Sequence, residues 1–108
     1  MVKNCIFCKI AQLDLPCDKV YEDTDFIVFH DLHPKAPVHV LIVPKRHIQS
    51  LAHLEESDHN LMGRLTLLLP KIALMLHLKA GFRTIINTGK GGGQEIFHLH
   101  YHLLGTPN

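Results

Sequence analysis

The chain has 108 residues, 46% hydrophobic and 19% charged, which suits one compact domain spanning 1–108 and excludes the low-hydrophobicity, high-charge class of disordered polymers. Lys and Arg number 11 against 10 Asp and Glu, so no surplus of positive charge exists to hold a nucleic-acid backbone or an anionic membrane, and any phosphate must be met by local geometry. Three cysteines cannot close a disulfide set, the first residues lack a signal-peptide pattern, and the apolar stretch 61–78 is interrupted by Gly63, Arg64, Pro70, Lys71 and His77; the expectation is a cytoplasmic protein without a nucleic-acid or membrane partner.

In chain order, Asn4 is positioned to cap a short helix running to about Gln12, because Ile6, Phe7 and Ile10 recur at helical spacing. Residues 20–21 and 26–29 read as two short strands turned at the acidic segment 22–25, and 38–43 as a third strand, nearly continuously apolar and therefore covered on both faces. A long helix is predicted from Glu55 or Ser57 to Leu78, with Ser57 as N-cap, Gly81 just past the end and Pro70 kinking or breaking it. Leu61, Met62, Leu65, Leu68, Leu69, Ile72, Met75 and Leu76 occupy too wide an arc for one sheet face, which predicts burial against a second copy of the chain. Strands at 82–87 and 97–104, joined by Gly89, Lys90, Gly91, Gly92 and Gly93, complete an α+β pattern: an antiparallel sheet of about five strands with one long and one short helix.

Ten histidines in so short a chain point to imidazole as the working group. His98, His100 and His102 alternate with Leu99, Tyr101 and Leu103, so on a strand they share one face at roughly 6.5 to 7 Å spacing. Three imidazoles bring polar nitrogens that need partners once buried, so solvent or a ligand should meet that face. It could bind a metal, or present one neutral ring as a nucleophile while its neighbours hold substrate; spacing alone does not choose. The adjacent glycine loop offers backbone N–H groups for a phosphate. Cys5 and Cys8 lie three apart on the first helical turns, with His47 as a possible third metal ligand. Two thiolates and two imidazoles would make a closed structural zinc site, for which a fourth ligand is needed; an unligated buried cysteine pair is the alternative.

Taken together, the segments Cys-Ile-Phe-Cys-Lys-Ile at 5–10, Phe-His-Asp-Leu at 29–32, Ala-Pro-Val-His-Val-Leu-Ile-Val-Pro-Lys-Arg-His at 36–47 and Gly-Gly-Gln-Glu-Ile-Phe-His-Leu-His-Tyr-His-Leu-Leu at 92–104 resemble the histidine-triad (HIT) family, and within it the Hint-like purine nucleoside phosphoramidate hydrolases. The resemblance covers nearly the whole chain. It implies a HIT-like fold, a homodimer, and a purine nucleotide bound in each copy. It also implies attack of His100 on the α-phosphorus to give a nucleotidyl-histidine that water hydrolyses, with His102 and His39 beside the phosphate. Asp31 would accept from the ribose hydroxyls, and Asn87, Gly93, Gln94 and Glu95 would line the phosphate and leaving-group side. Ile6, Phe7, Ile10 and Leu32 would form a slot for the base. Zinc-carrying relatives hold the metal at the positions of Cys5, Cys8, His47 and His98, which supplies the fourth ligand. Glu95 stands where animal relatives carry serine, and the chain stops four residues after Leu104; both bear on leaving-group preference. Hydrolysis of dinucleoside polyphosphates, and a non-catalytic nucleotide-binding or partner-binding module, are the competing readings.

Overall fold

In a computed structural model that describes residues 4–108, the elements follow as α1 (Ile6–Ala11), β1 (Lys19–Glu22), β2 (Phe26–His30), β3 (Val38–Pro44), α2 (His59–Met75), β4 (Arg83–Ile85) and β5 (Tyr101–Gly105), with 3-10 turns at Leu51–His53, Glu56–Asp58 and Lys90–Gly92. The strands form one antiparallel sheet in the order β1-β2-β3-β5-β4. This is the α+β architecture expected from the sequence. No helix among the described residues is long and apolar enough to cross a membrane.

β3 is the axis of the molecule, and all seven of its residues are buried because both faces of the sheet are covered. On one face Val28, Val38, Val40, Ile42, Tyr101 and Leu103 pack with Leu65, Leu68, Leu69 and Ile72 of α2. On the other, Ile27, Phe29, Leu41 and Val43 pack with Phe7, Cys8 and Ile10 of α1. Six residues of helix reach over only part of that second face. Alternation along β3 and β5 puts His39 and His102 on the same side as Leu41, on the part α1 leaves uncovered.

Both helices end in Schellman motifs built on non-glycine residues. After α1, Leu13 N–H bonds the Ile10 carbonyl and Asp14 N–H the Lys9 carbonyl; after α2, His77 N–H bonds Leu74 and Leu78 N–H bonds Ala73. Leu13 and His77 accordingly sit in the left-handed region, at φ 64° and 63°. The expected terminators therefore shift: α2 closes at Met75 on His77, and Gly81 lies beyond it.

Other boundaries also move. Cys5, in place of Asn4, caps α1, its sulfur accepting from the Cys8 N–H. Ser57 falls inside a 3-10 turn whose capping box joins Glu55 and Asp58, and α2 starts only at His59. α2 runs through Pro70 without the break that was one of the two expected outcomes there. Within one chain the sheet covers only part of the helix's apolar arc: Met75 is 45% exposed, and Leu67 and Leu74, at 75% and 70%, also point outward. β4 takes only three of the residues 82–87, all exposed.

The largest correction concerns the last strand, which begins at Tyr101 and not at Phe97. The β3–β5 ladder pairs Ile42 with Tyr101, so one step further the partner of Leu99 would be Pro44, which has no N–H to donate. The chain leaves the ladder there, and Leu99 N–H turns to the Ile48 carbonyl at 2.6 Å.

His77 holds a strained conformation that glycine adopts without a Cβ clash. His77→Gly is expected to raise the unfolding free energy by about 1 kcal/mol, read as a higher urea midpoint at unchanged slope; a lowered midpoint would contradict the Schellman reading.

Candidate active site and metal centre

Leaving the ladder at residue 100 separates the three triad histidines into two environments. His98 has no exposed surface, His100 is 8% exposed and His102 is half-buried, so the uniform solvent-facing row expected from the alternation does not form. Phe7 is wedged against both upstream rings, edge-on to His100 at 5.1 Å and to His98 at 6.0 Å between centroids, and is itself braced by Phe29 at 5.6 Å. It is a buried brace of the histidines, while Ile6 at 45% and Leu32 at 87% exposure form an open rim.

Groups with only one possible hydrogen-bonding role fix where the imidazole protons sit. The Pro44 carbonyl can only accept, so His98 donates to it from Nε2 at 2.7 Å and carries its lone pair on Nδ1. That lone pair faces Cys5 Sγ at 3.2 Å, Cys8 Sγ at 3.5 Å and His47 Nδ1 at 3.2 Å, with Cys8 Sγ and His47 Nδ1 3.3 Å apart. A tetrahedral ion with nitrogen and sulfur ligands at about 2.0 and 2.3 Å spaces those atoms about 3.3 to 3.8 Å apart. The four side chains, with all ligand atoms within 4.8 Å of one another, therefore fit a closed metal site. The sequence-stated quartet Cys5, Cys8, His47 and His98 comes together from the helix α1, the segment after β3 and the segment before β5.

His100 donates from Nδ1 to the carbonyl of His98 at 2.8 Å, which leaves the lone pair on Nε2. Burial pushes its basicity below the ordinary histidine value, so the ring is neutral near pH 7 and competent as a nucleophile. On the part of the sheet face beyond α1, where the 31–37 segment covers His39, the Lys35 backbone N–H donates to His39 Nδ1 at 3.1 Å. The neutral ring then holds its proton on Nε2, donates it to His102 Nδ1 at 2.9 Å, and leaves His102 with an Nε2 proton. Burial, aided by the neighbouring His100 and His39, pushes His102 down to about 4; burial also lowers His39. The rings of His100 and His102 lie 5.0 Å apart.

Asp31 Oδ2 is 3.5 Å from His39 Nε2, and Asp31, His39 and His102 also have metal-like spacing. Their protons argue against an ion there. A metal on His39 Nε2 would drive the ring proton onto Nδ1, directly against the Lys35 N–H. This cluster is a chain of hydrogen bonds beside His100.

The glycine loop is tied down by Gln94, whose side chain accepts from Gly89 N–H at 2.8 Å and donates to the carbonyls of Gln49 at 2.8 Å and Ile96 at 3.0 Å. Its amide is thus spent on the loop's shape. Asn87 donates from Nδ2 to the Gly92 carbonyl at 2.8 Å, and Gly93 stands in the left-handed region at φ 81°. Glu95 is exposed and lines, with Asn4, Ile6, Gln49 and Phe97, a cleft of about 460 Å³ beside the cysteine–histidine cluster. Residue patterns did not reveal the N–H of Lys35 or the carbonyls of Pro44 and His98: any residue supplies them, so no side-chain signal exists.

In the unfolded chain His102 takes up a proton as pH falls below about 6.5, and in the folded chain only near 4. Between these values the unfolded state binds more protons, so stability is full above 6.5 and declines as pH falls through the window. Urea midpoints measured at pH 7 and 4.5 should show this loss, and His102→Gln should reduce it; equal pH dependence in both proteins would contradict the assigned burial of the ring.

A family model described as the HIT domain matches residues 12–108. The chain is 53% identical over 104 residues to Protein HitA of Neisseria gonorrhoeae, an alignment covering 96% of this chain and 97% of that protein. Among solved structures it is similar to a HIT family hydrolase from Legionella pneumophila Philadelphia 1, at 40% identity and TM-score 0.93 over 97% of this chain and 95% of the other. It is also similar to a histidine triad protein from Clostridium difficile, at 42% identity and TM-score 0.95 over 100% and 95%. By the family match along most of its length, and by its relatives, the chain belongs to the HIT domain family.

Proposed function

We propose that the protein is a hydrolase of purine nucleoside phosphoramidates, with His100 as the nucleophile. The observation that carries this reading is the commitment of His100 Nδ1–H to the His98 carbonyl, which leaves a neutral Nε2 lone pair in a buried setting. Nε2 attacks the α-phosphorus, and the phosphorus–nitrogen bond of the substrate breaks with its electron pair passing to the amine, which takes a proton. Water then attacks the nucleotidyl-histidine, the bond from phosphorus to Nε2 breaks, and the free imidazole and nucleoside monophosphate are released. The Nε2–H of His102, backed by His39, is the donor beside the phosphoryl group. Asp31 accepts from the ribose, Asn87, Gly93 and Gln94 border the phosphate side and Glu95 the leaving-group side, and Ile6 and Leu32 form the open rim of the base slot, with Phe7 and Ile10 buried beneath it. The hydrolase named among the solved structures of similar fold supports the reaction class.

His100→Asn should keep AMP binding and lower turnover of an adenosine phosphoramidate by at least about 10³-fold; wild-type turnover in this variant would overturn the assignment. Faster release from a diadenosine polyphosphate than from the phosphoramidate would shift the substrate class within the same chemistry.

We also infer that the ion held by Cys5, Cys8, His47 and His98 is zinc in a structural role, the ligand set being soft and closed, and that the chain forms a homodimer. β4 is an edge strand with all three residues exposed, flanked by Phe82 at 39%, while Leu67 and Leu74 of α2 are outward and apolar. Such an edge is an open template for a second copy related by a twofold axis. Elemental analysis should return about one zinc per chain, lost in Cys5→Ser with Cys8→Ser, and light scattering should give twice the chain mass; a metal-free monomer would refute both.

A further inference from the structure

The residue that holds the nucleophile is also a residue that would hold the metal. The side chain of His98 is anchored by its Nε2–H on the Pro44 carbonyl at 2.7 Å and by its Nδ1 in the cluster with Cys5, Cys8 and His47. Two atoms along the same residue, its carbonyl accepts the His100 Nδ1–H at 2.8 Å. That carbonyl is not placed by a strand ladder, because β5 begins only at Tyr101. The backbone bond from Leu99 N–H to Ile48 holds one end of this stretch, and the His98 ring holds the other. Phe7, whose helix carries Cys5 as N-cap and Cys8 in its first turn, presses on both the His98 and His100 rings. Any shift of the cluster reaches His100 by two routes: through the His98 peptide and through Phe7.

We propose that occupation of the Cys5, Cys8, His47, His98 cluster positions the His100 nucleophile, holding its proton on Nδ1 and its lone pair on Nε2, so that metal binding and nucleotide binding are energetically linked. His98 is a positioning residue through its main chain, and the metal centre takes the part that a β-ladder plays for His102. This rests on the reading of His100 as the nucleophile. By reciprocity, a metal that strengthens nucleotide binding is itself bound more tightly in the presence of nucleotide, by the same factor.

The test uses the full chain with ¹⁵N-labelled histidine, zinc-loaded or stripped with a chelator, with folding followed by circular dichroism. In the loaded protein the His100 ring nitrogens should report one tautomer, protonated at Nδ1; in the stripped protein they should move toward an average of both. AMP should bind the loaded form at least about 5-fold more tightly, and His100→Ala should keep metal affinity while abolishing that difference. If stripping unfolds the chain, the cobalt(II)-loaded protein serves: addition of AMP should shift its ligand-field absorption and tighten cobalt binding by the same factor. His100 resonances identical in loaded and stripped folded protein, or a cobalt spectrum and affinity indifferent to bound AMP, would overturn the linkage and leave the hydrolase reading standing. Resonances that respond to metal in a protein that binds no AMP would support the positioning and refute the nucleotide reading.

Discussion

The hydrogen bond from His100 Nδ1–H to the His98 carbonyl, 2.8 Å long, is the interaction around which the rest of the molecule is arranged. It needs the two residues to be off the β-ladder, since a regular strand would turn that carbonyl toward its neighbour strand and not toward its own side chain two residues on. Pro44 brings this about by ending the donors of β3 where β5 would have continued. The carbonyl of Pro44 then receives His98, so one proline both stops the ladder and seats the first histidine of the triad.

Proton placement separates two clusters that look alike by distance. Cys5, Cys8, His47 and His98 bring two sulfurs and two ring nitrogens face to face in a largely buried site. Asp31, His39 and His102 are just as close, yet the Lys35 N–H on His39 Nδ1 turns that ring into a donor toward His102. The first arrangement suits a cation, and the second is a chain of hydrogen bonds ending at His102 beside His100. Separating the metal-type cluster from His100 leaves that ring with a lone pair on Nε2, as the proposed covalent mechanism requires.

α1 shows how a short element can do several jobs at once. Six residues form too little helix to persist alone; burial of Phe7, Cys8 and Ile10 against Ile27, Phe29, Leu41 and Val43 stabilises it on the sheet. The same six residues and their cap bring two thiols to the metal cluster and one aromatic ring against His98 and His100. α1 covers only part of its sheet face; beyond it lie His39, buried beneath the 31–37 segment that sends the Lys35 N–H to its ring, and the half-buried His102.

The residue pattern by itself determined the elements, because periodicity and burial are local: the continuous apolar run of β3, the acidic turn between β1 and β2, and the helical spacing from Leu61 to Ile72 all register in short windows. It also picked out the cysteines and histidines that the fold brings together in clusters, since the cysteine pair and the alternating histidines stand out in the sequence. Terminators were harder to read, because Leu13 and His77 take left-handed geometry that their identities do not advertise, and Pro70 is tolerated inside a helix packed along one side on the sheet. The division of labour among the three histidines was decided only in three dimensions. His98, His100 and His102 are equivalent in a strict alternation, and what distinguishes them is which backbone N–H or carbonyl each ring meets: Pro44, His98 and, through His39, Lys35. Those partners are main-chain groups common to every residue, so their identity is set by where the folded chain brings them and by nothing written in the side-chain order.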